Sequence, residues 1–245
     1  MKLIVAGASG FVATEIIRQS LSLPKITSVM AIARRPVSTP SNLGQGADAS
    51  KLHSVVLDNY GNYPDDAIRQ LAGADACIWT VAITPSKSRG LDFDEVRRVC
   101  QEYTLVGLRA IFKAHSEGGS RGAPPLRFLY MSGTATERDQ NKTPSWMPEY
   151  CLMRGETETQ VLAFAAEHKG AVEACVAKPG LITARGQYLK TIFAMVMKYV
   201  MSLPSVDVAE ISAAMLHEVI HGFEKEPLEN NDLVRIGRQA LKIAE

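Results

Sequence analysis

The sequence predicts an α/β fold, with a single doubly wound parallel sheet, helices on both faces and a small C-terminal substrate or lid region. Short apolar runs alternate with segments of helical periodicity along most of the 245 residues, and such alternation is typical of parallel sheets with right-handed crossovers. The first apolar run also leads directly into a glycine-containing turn and a helix. No internal repeat or interdomain linker is evident. Residues 1–245 are therefore expected to form one domain, in which 183–245 contribute to the substrate pocket.

The elements follow one another in a regular order. Leu3, Ile4, Val5 and Ala6 form a continuous apolar run, which is typical of a strand buried on both faces of a sheet. Further apolar runs predict five more strands, and periodic segments predict helices between them. The strands are expected at 3–6, 27–33, 53–57, 76–81, 126–131 and 171–177, and the helices at 11–17, 64–72, 92–115, 150–168 and 191–203.

The turn after the first strand has the spacing Gly7-x-x-Gly10-x-x-Ala13. Gly7 lets the chain reverse, Gly10 leaves room for a pyrophosphate to approach backbone N–H groups, and Ala13 allows the helix to pack closely on the strand. The helix N-terminus adds unpaired donors and a partial positive charge. Because this spacing follows a strand and opens a helix, it favours a dinucleotide site over a purely structural turn. The expected contacts are Gly7, Ser9, Gly10, Phe11 and Val12.

The second predicted strand ends in Arg34-Arg35-Pro36 and not in an acidic residue. An acidic side chain there would accept hydrogen bonds from the ribose of NAD, whereas Arg34 and Arg35 suit the 2′-phosphate of NADP. The alternative interpretation is a solvated basic turn. Later strand ends supply further expected cofactor contacts, which are Asp58 to the adenine and Thr80, Val81 and Ala82 near the second ribose.

Three polar residues predict the chemistry. Ser132 follows the fifth strand, while Tyr150 and Arg154 are four residues apart and so share one face of a helix. In such a constellation the phenol exchanges a proton with a carbonyl or alcohol while hydride moves to or from the cofactor. A nearby cation lowers the pKa of the phenol, and the serine hydroxyl holds the substrate oxygen. Ser132, Tyr150 and Arg154 are therefore the predicted catalytic residues, and Tyr150 and Arg154 are also expected to contact the cofactor.

These motifs together resemble the short-chain dehydrogenase/reductase superfamily, in its extended and atypical branch. The resemblance covers nearly the whole chain and implies a Rossmann fold that binds NADP(H), with Ser132 and Tyr150 in the catalytic places. More narrowly, residues 150–158 and short stretches of the tail are similar to the atypical group that includes the Tat-interacting protein. The motifs that carry the resemblance are Gly7-x-x-Gly10-x-x-Ala13, Arg34-Arg35, Ser132, Tyr150 and Lys178-Pro179-Gly180, and the resemblance places Pro179, Gly180, Leu181 and Ile182 at the cofactor.

One position departs from the superfamily pattern, because the family has lysine where this chain has Arg154. Arginine keeps the positive charge and can donate to a ribose hydroxyl. It does not lose a proton at neutral pH, and its planar fork replaces a compact ammonium group. The change puts a proton relay through this position in doubt and leaves cofactor binding intact.

The predicted function is that of an NADPH-dependent oxidoreductase, which reduces a carbonyl or oxidises an alcohol of a small, lipophilic metabolite. Two alternatives stay open. One is an NADP(H)-binding protein with non-redox chemistry, such as an isomerase or cyclase in biosynthesis, and the other is a regulatory binding protein. The polar segment 137–149 is a candidate substrate loop. The apolar residues of 191–203 would line a substrate pocket, form a homodimer interface or cover the core.

Composition and net charge limit the classes of partner that this chain is expected to bind. The formal net charge of +1 predicts no attraction to nucleic acid or an anionic membrane. The helix at 191–203 is too short to span a bilayer, and a first strand that begins at residue 2 leaves no room for a signal peptide. The four cysteines show no CxxC spacing, so buried reduced thiols are expected. A cytoplasmic protein that acts on a small molecule follows from these observations.

The histidines offer one motif that competes with this interpretation. His217-Glu218-Val219-Ile220-His221 matches H-E-x-x-H, and both histidines would share a helix face, as zinc requires. The residues that follow do not continue a zinc-protease pattern, and a third ligand is missing from any expected place. No metal is therefore predicted. The other histidines, His53, His115 and His168, lie at element ends and are expected to be solvated.

Overall fold

A computed structural model describes residues 1–118, 124–184 and 204–244. Its main sheet has seven parallel strands in the order β3-β2-β1-β4-β5-β6-β9, and a second, two-stranded parallel sheet pairs β7 with β8. The strands are β1 Lys2–Ala6, β2 Ser28–Ala33, β3 Leu52–Val56, β4 Ala76–Trp79, β5 Leu126–Met131, β6 Val172–Lys178, β7 Leu181–Thr183, β8 Ser205–Asp207 and β9 Leu228–Glu229.

The side chains of strand β1 show that the sheet is covered on both faces. Its side chains alternate between two cores, so that Leu3 and Val5 enter one and Ile4 and Ala6 enter the other. All four are completely buried. A strand buried on both faces needs apolar residues at consecutive positions, and the continuous run in the sequence reflects this requirement.

The helices divide between the two faces. Helices α1, α7 and α8 cover the core that contains Leu3, and α2, α5 and α6 cover the core that contains Ile4. The predicted doubly wound α/β architecture is therefore confirmed. The helices are α1 Phe11–Ser20, α2 Asp65–Leu71, α3 Pro85–Ser88, α4 Phe93–Arg97, α5 Tyr103–Gly118, α6 Pro148–Glu167, α7 Val208–His221 and α8 Asn230–Ala244.

The strand order places the functional residues. From β1 the chain moves to β2 and β3 on one side, and it then returns to β4 on the other side of β1. A crevice opens at the carboxyl ends of the strands where the order reverses, and this is where open α/β sheets bind ligands. The ends of β1, β2, β4 and β5 bring Gly7, Arg34, Thr80 and Ser132 to this same edge.

Several elements differ from the sequence prediction. The single helix expected at 92–115 is instead α4, a π-helical turn at Arg98–Glu102, and α5. Strands β7, β8 and β9 were not predicted, because two or three residues are too few to show a periodic pattern. The helix expected at 191–203, with its apolar residues, lies outside the described residues.

The buried polar residues bear on two further predictions. All four cysteines are buried and free, as expected. The prediction that His115 is solvated is wrong: the ring is buried, and Nδ1 lies 2.8 Å from the carbonyl oxygen of Ala74.

Across the described residues, none of the helices combines the length and apolar character needed to cross a membrane.

Candidate active site

The loop between β1 and α1 has the conformation that the glycine spacing predicts. Gly7 has a φ of +80°, which disfavours any residue with a side chain. The N–H groups of Gly7 and Ala8 donate to the carbonyl of Ile32, and the N–H of Gly10 donates to Gly7 at 2.8 Å. These bonds hold the loop against the end of β2 and direct it into α1.

Helix α1 begins with free donors. Gly10 precedes its first residue, Phe11, and provides no side-chain cap, and the first turn contains no acidic residue. In the described part of the chain, the first backbone N–H groups of this turn have no acceptor, and they carry the partial positive charge of the helix end. An anionic group such as a pyrophosphate is the natural acceptor for such a site.

Close packing against β4 gives a second reason for glycine at position 7. A Cβ there would lie 2.7 Å from Oγ1 of Thr80, whose hydroxyl donates to the carbonyl of Ala6 at 2.7 Å. From the other side, the hydroxyl of Tyr60 accepts from the N–H of Gly7 and donates to Ile32. No sequence motif indicates this role for Tyr60, which is not among the predicted site residues.

An open cleft lies beside this loop at the end of β2. Its volume is about 180 Å³. Arg34 and Arg35 are both exposed where β2 ends, and Arg35 borders the cleft. The structure therefore brings a cation next to the glycine loop, as the basic pair predicts. The lining residues are Ala8, Ser9, Thr14, Ile17, Arg35, Pro36, Val37, Ser38 and Pro40.

The remaining predicted cofactor contacts also follow strand ends. Asp58 is exposed two residues after β3, and Val81 is buried two residues after β4. The segment 179–182 follows β6, where the N–H of Gly180 donates to Oδ1 of Asn230. A Cβ on Gly180 would lie 2.0 Å from the carbonyl oxygen of Pro204, so glycine is required there by packing against the chain before β8.

Ser132 is half-buried directly after β5 and makes its shortest side-chain hydrogen bond with a residue that was not predicted. Its hydroxyl donates to Oε1 of Glu158 at 2.5 Å, and the hydroxyl of Thr136 lies at the same distance from that oxygen. Glu158 is completely buried on α6. Its position eight residues after Tyr150 and four after Arg154 places it on their helix face, and this spacing was the available signal.

Two cations hold the other oxygen of this carboxylate. Oε2 of Glu158 accepts from Nε of Arg138 at 2.7 Å and from Nζ of Lys178 at 3.4 Å. Burial raises the pKa of Glu158, but the hydrogen bonds from Ser132 and Thr136 and the charge of Lys178 outweigh it and hold the pKa below its ordinary value. Glu158 is therefore ionised at neutral pH.

Tyr150 lies near the start of α6 and is almost completely buried. Its hydroxyl donates to the carbonyl of Ile83 at 2.9 Å, in the loop after β4. Burial raises the pKa of the phenol to about 12, although Arg154 acts in the opposite direction. The sequence prediction of a lowered pKa identified the effect of the cation correctly but missed burial, which is the larger effect.

Arg154 is buried on α6 and contacts the last residue of β5. One guanidinium nitrogen, Nη2, donates to the carbonyl of Met131 at 2.7 Å, and Cζ lies 4.9 Å from the centre of the Tyr130 ring. The second nitrogen, Nη1, is buried without a hydrogen-bond partner in the described part of the chain. Nearby tyrosine and cysteine side chains and Glu158 raise the pKa of Arg154 despite its burial. Arg154 thus remains a buried cation at the end of β5, the strand that Ser132 follows.

The H-E-x-x-H segment lies apart from these residues on α7. The His217 and His221 rings are 4.3 Å apart, as two neighbours on one helix face should be. Glu218 is buried and accepts from the N–H of Glu224, and Nε2 of His221 lies 3.0 Å from Nζ of Lys25. Over the described ranges, no three His, Cys, Asp or Glu side chains are grouped so as to hold a metal.

The purified protein is expected to contain well under one zinc ion per chain, since the predicted ligand set stops at His217 and His221. Elemental analysis after purification without chelators is the measurement. Stoichiometric zinc that disappears when His221 is replaced by alanine would contradict this expectation.

Both the sequence and the structure of this chain can be compared with those of known proteins. No protein-family model matches the sequence, and no curated protein is significantly similar to it. Its structure is similar to that of MoeE5 in complex with UDP-glucose and NAD, with a TM-score of 0.64 at 16% identity over 98% of this chain and 81% of MoeE5. The chain has the fold of the extended short-chain dehydrogenase/reductases.

Two further structures with this extended short-chain dehydrogenase/reductase fold illustrate its range. The UDP-glucose 4-epimerase of Thermotoga maritima, solved with UDP-glucose, gives a TM-score of 0.65 at 12% identity over 98% of this chain and 82% of the epimerase. Vestitone reductase from alfalfa gives a TM-score of 0.62 at 18% identity over 93% of this chain and 76% of the reductase. The superfamily resemblance seen in the sequence is thereby confirmed for the fold, and the closer resemblance to the Tat-interacting group stays a prediction.

Proposed function

We propose that this protein is an NADP(H)-dependent oxidoreductase that reduces a carbonyl or oxidises an alcohol of a small, lipophilic metabolite. The observation that carries the proposal is the glycine loop with its uncapped helix, bordered by the cleft at Arg35. Free N–H groups at the start of α1 suit a pyrophosphate, and an exposed arginine at the end of β2 suits an additional phosphate on the adenosine ribose.

The expected course of the cofactor follows the carboxyl edge of the sheet. From the cleft it would pass Gly7 and Gly10, continue along Thr80 at the end of β4, and reach Ser132 after β5. MoeE5 was solved with UDP-glucose and NAD, and the dTDP-glucose 4,6-dehydratase DesIV was solved with NAD, which supports a nicotinamide dinucleotide and a small-molecule substrate for this chain. The absence of an acidic side chain after β2 favours NADP over NAD for this chain.

The substrate end is assigned to Ser132 and Tyr150, with the loop at 137–149 as the substrate loop and a contribution from the C-terminal region 183–245 as predicted from the sequence. Part of this loop packs directly on α6, since a Cβ on Gly155 would lie 1.8 Å from the carbonyl oxygen of Glu137. The loop is thereby fixed close to the predicted catalytic residues. A homodimer and a cytoplasmic location remain predictions from the sequence.

Binding without redox turnover is the second candidate function, in a biosynthetic isomerase or cyclase or in a regulatory protein. The observation in its favour is the state of Arg154, which is buried, donates to Met131 and does not release a proton at neutral pH. A protein that binds NADP(H) tightly but transfers no hydride to or from any carbonyl or alcohol tested would establish this candidate.

We expect NADPH to bind more tightly than NADH, because Arg34 and Arg35 can hold the 2′-phosphate. Replacing both arginines by alanine should remove most of this preference. Charge-assisted hydrogen bonds contribute about 1.5–3 kcal/mol each, so the change should be about tenfold or more. Calorimetric titration of both cofactors measures it.

Arg69→Ala is the matched control. This exposed arginine lies on α2 next to Gln70, whose carbonyl accepts from Lys2 at the opposite, amino edge of the sheet. The control should keep the preference for NADPH. Equal affinities of the unmodified protein for NADPH and NADH would refute the assignment of the arginine pair.

A further inference from the structure

The hydroxyl groups of Ser132 and Tyr150, the residues in the predicted catalytic places, each donate a hydrogen bond to another group of the protein. Ser132 donates to Oε1 of Glu158 at 2.5 Å, and Tyr150 donates to the carbonyl of Ile83 at 2.9 Å. A carbonyl oxygen and an ionised carboxylate can only accept hydrogen bonds. The direction of both bonds is therefore determined by the acceptors.

Glu158 is kept ionised by its surroundings. Its other oxygen accepts from Arg138 and Lys178, and Arg138 is itself held by a bidentate pair with Glu226 at 2.6 and 3.1 Å. These contacts join the segment after β5, helix α6, the end of β6 and the segment before β9. Because charged hydrogen bonds with O–H donors are short and strong, the proton of Ser132 stays directed toward Glu158.

A hydroxyl group that donates its single proton can offer only lone pairs to a further partner. Ser132 is half-buried and Tyr150 almost buried, and neither has a second proton to give. We propose that Ser132 recognises a hydrogen-bond donor, namely the hydroxyl group of an alcohol, and that Glu158 is the positioning residue that imposes this specificity. The inference rests on the proposed function and names the substrate class as an alcohol in preference to a carbonyl compound.

A carbonyl oxygen at the same place would face acceptor atoms. Its lone pairs would meet those of the Ser132 hydroxyl, and no hydrogen bond from this group would replace the water lost on binding. An unpaired polar group of this kind weakens binding by about tenfold or more. The alcohol form of a probe should therefore bind better than the ketone form by about this factor.

The direction of the Ser132 bond can be tested without any ligand. A hydroxyl proton in a bond of 2.5 Å to a carboxylate should give a downfield proton resonance that exchanges slowly with water. This resonance should disappear in Ser132→Ala and in Glu158→Gln, whose side-chain amide can donate to Ser132 instead. It should persist in Thr136→Val and in Glu156→Gln, which changes an exposed glutamate two residues earlier on α6.

The ligand class is tested with para-fluoroacetophenone and the alcohol formed by its reduction. Fluorine NMR titrations, with and without NADP⁺, compare the two probes on the same protein. The unmodified protein and Glu156→Gln should bind the alcohol about tenfold more tightly, and Glu158→Gln should lose this preference. Ser132→Ala leaves Glu158 and its cations in place and should also lose it, which keeps the test decisive if Glu158→Gln does not fold.

Each result decides a separate point. A downfield resonance that survives in Glu158→Gln, or the absence of any resonance that Ser132→Ala removes, overturns the assignment of Glu158. An unmodified protein that binds the ketone equally well or better, or binds neither probe, overturns the ligand class. Failure of NADP⁺ to bind refutes the proposed function instead, and it leaves the result for the Ser132 proton unaffected.

Discussion

Replacement of Tyr150 by phenylalanine is expected to lower turnover by about 10²–10⁴-fold, which is the usual contribution of general acid–base catalysis. The phenol is the group assigned to exchange a proton with the substrate oxygen. Cofactor affinity should stay nearly unchanged, because phenylalanine keeps the ring packed beside Val96 and Met153. Steady-state kinetics with an identified substrate, together with calorimetric titration of NADPH, measures both quantities.

The pH dependence provides the control for this assignment. Burial raises the pKa of Tyr150 to about 12, while Arg154 lowers it and the thiols of Cys100 and Cys151 raise it further. The phenol is therefore protonated at neutral pH. Oxidation of an alcohol needs the phenolate, so its rate should rise with pH between about pH 6 and 9. Tyr150→Phe should show no such rise, and turnover that survives this substitution intact would remove Tyr150 from the mechanism.

Replacement of Glu158 by alanine is expected to destabilise the protein by about 3–5 kcal/mol, because it leaves the buried ammonium group of Lys178 without its carboxylate partner. Lys178 is more buried than Arg138, the other cation that pairs with Glu158. The other hydrogen bond of Lys178 is to the carbonyl of Thr136. Urea unfolding measures the change in the free energy of unfolding. Glu156→Ala removes an exposed glutamate from the same helix and should cost far less.

Acidification should reduce the contribution of Glu158 to the free energy of unfolding. Its pKa in the folded protein lies below the ordinary value of 4.5, so folding favours the ionised form. The resulting stabilisation is present above that value and is lost as the pH falls through the lower folded pKa. The difference in stability between the unmodified protein and Glu158→Gln should therefore be larger at neutral pH than below about pH 4. A difference independent of pH would show that packing, and not charge, makes Glu158 important.

The sequence alone was sufficient to predict the doubly wound sheet and the turn at the glycine loop. A strand buried on both faces must be apolar at every position, and a loop that turns at a positive φ must use glycine, so β1 and Gly7 carry these requirements in their own residue types. The basic pair at Arg34 and Arg35 is equally local, since its placement follows from the end of β2. These features depend on residues close together in the chain.

The tertiary structure decided how the polar groups of the substrate end are paired. Ser132 meets Glu158, 26 residues later, and Tyr150 meets Ile83, 67 residues earlier. His115 is buried rather than solvated for the same reason, because its acceptor at Ala74 comes from another element. No local pattern specifies such partners. They follow from burial, which removes water as an alternative partner and makes each hydroxyl, carboxylate and imidazole depend on the groups that the fold brings to it.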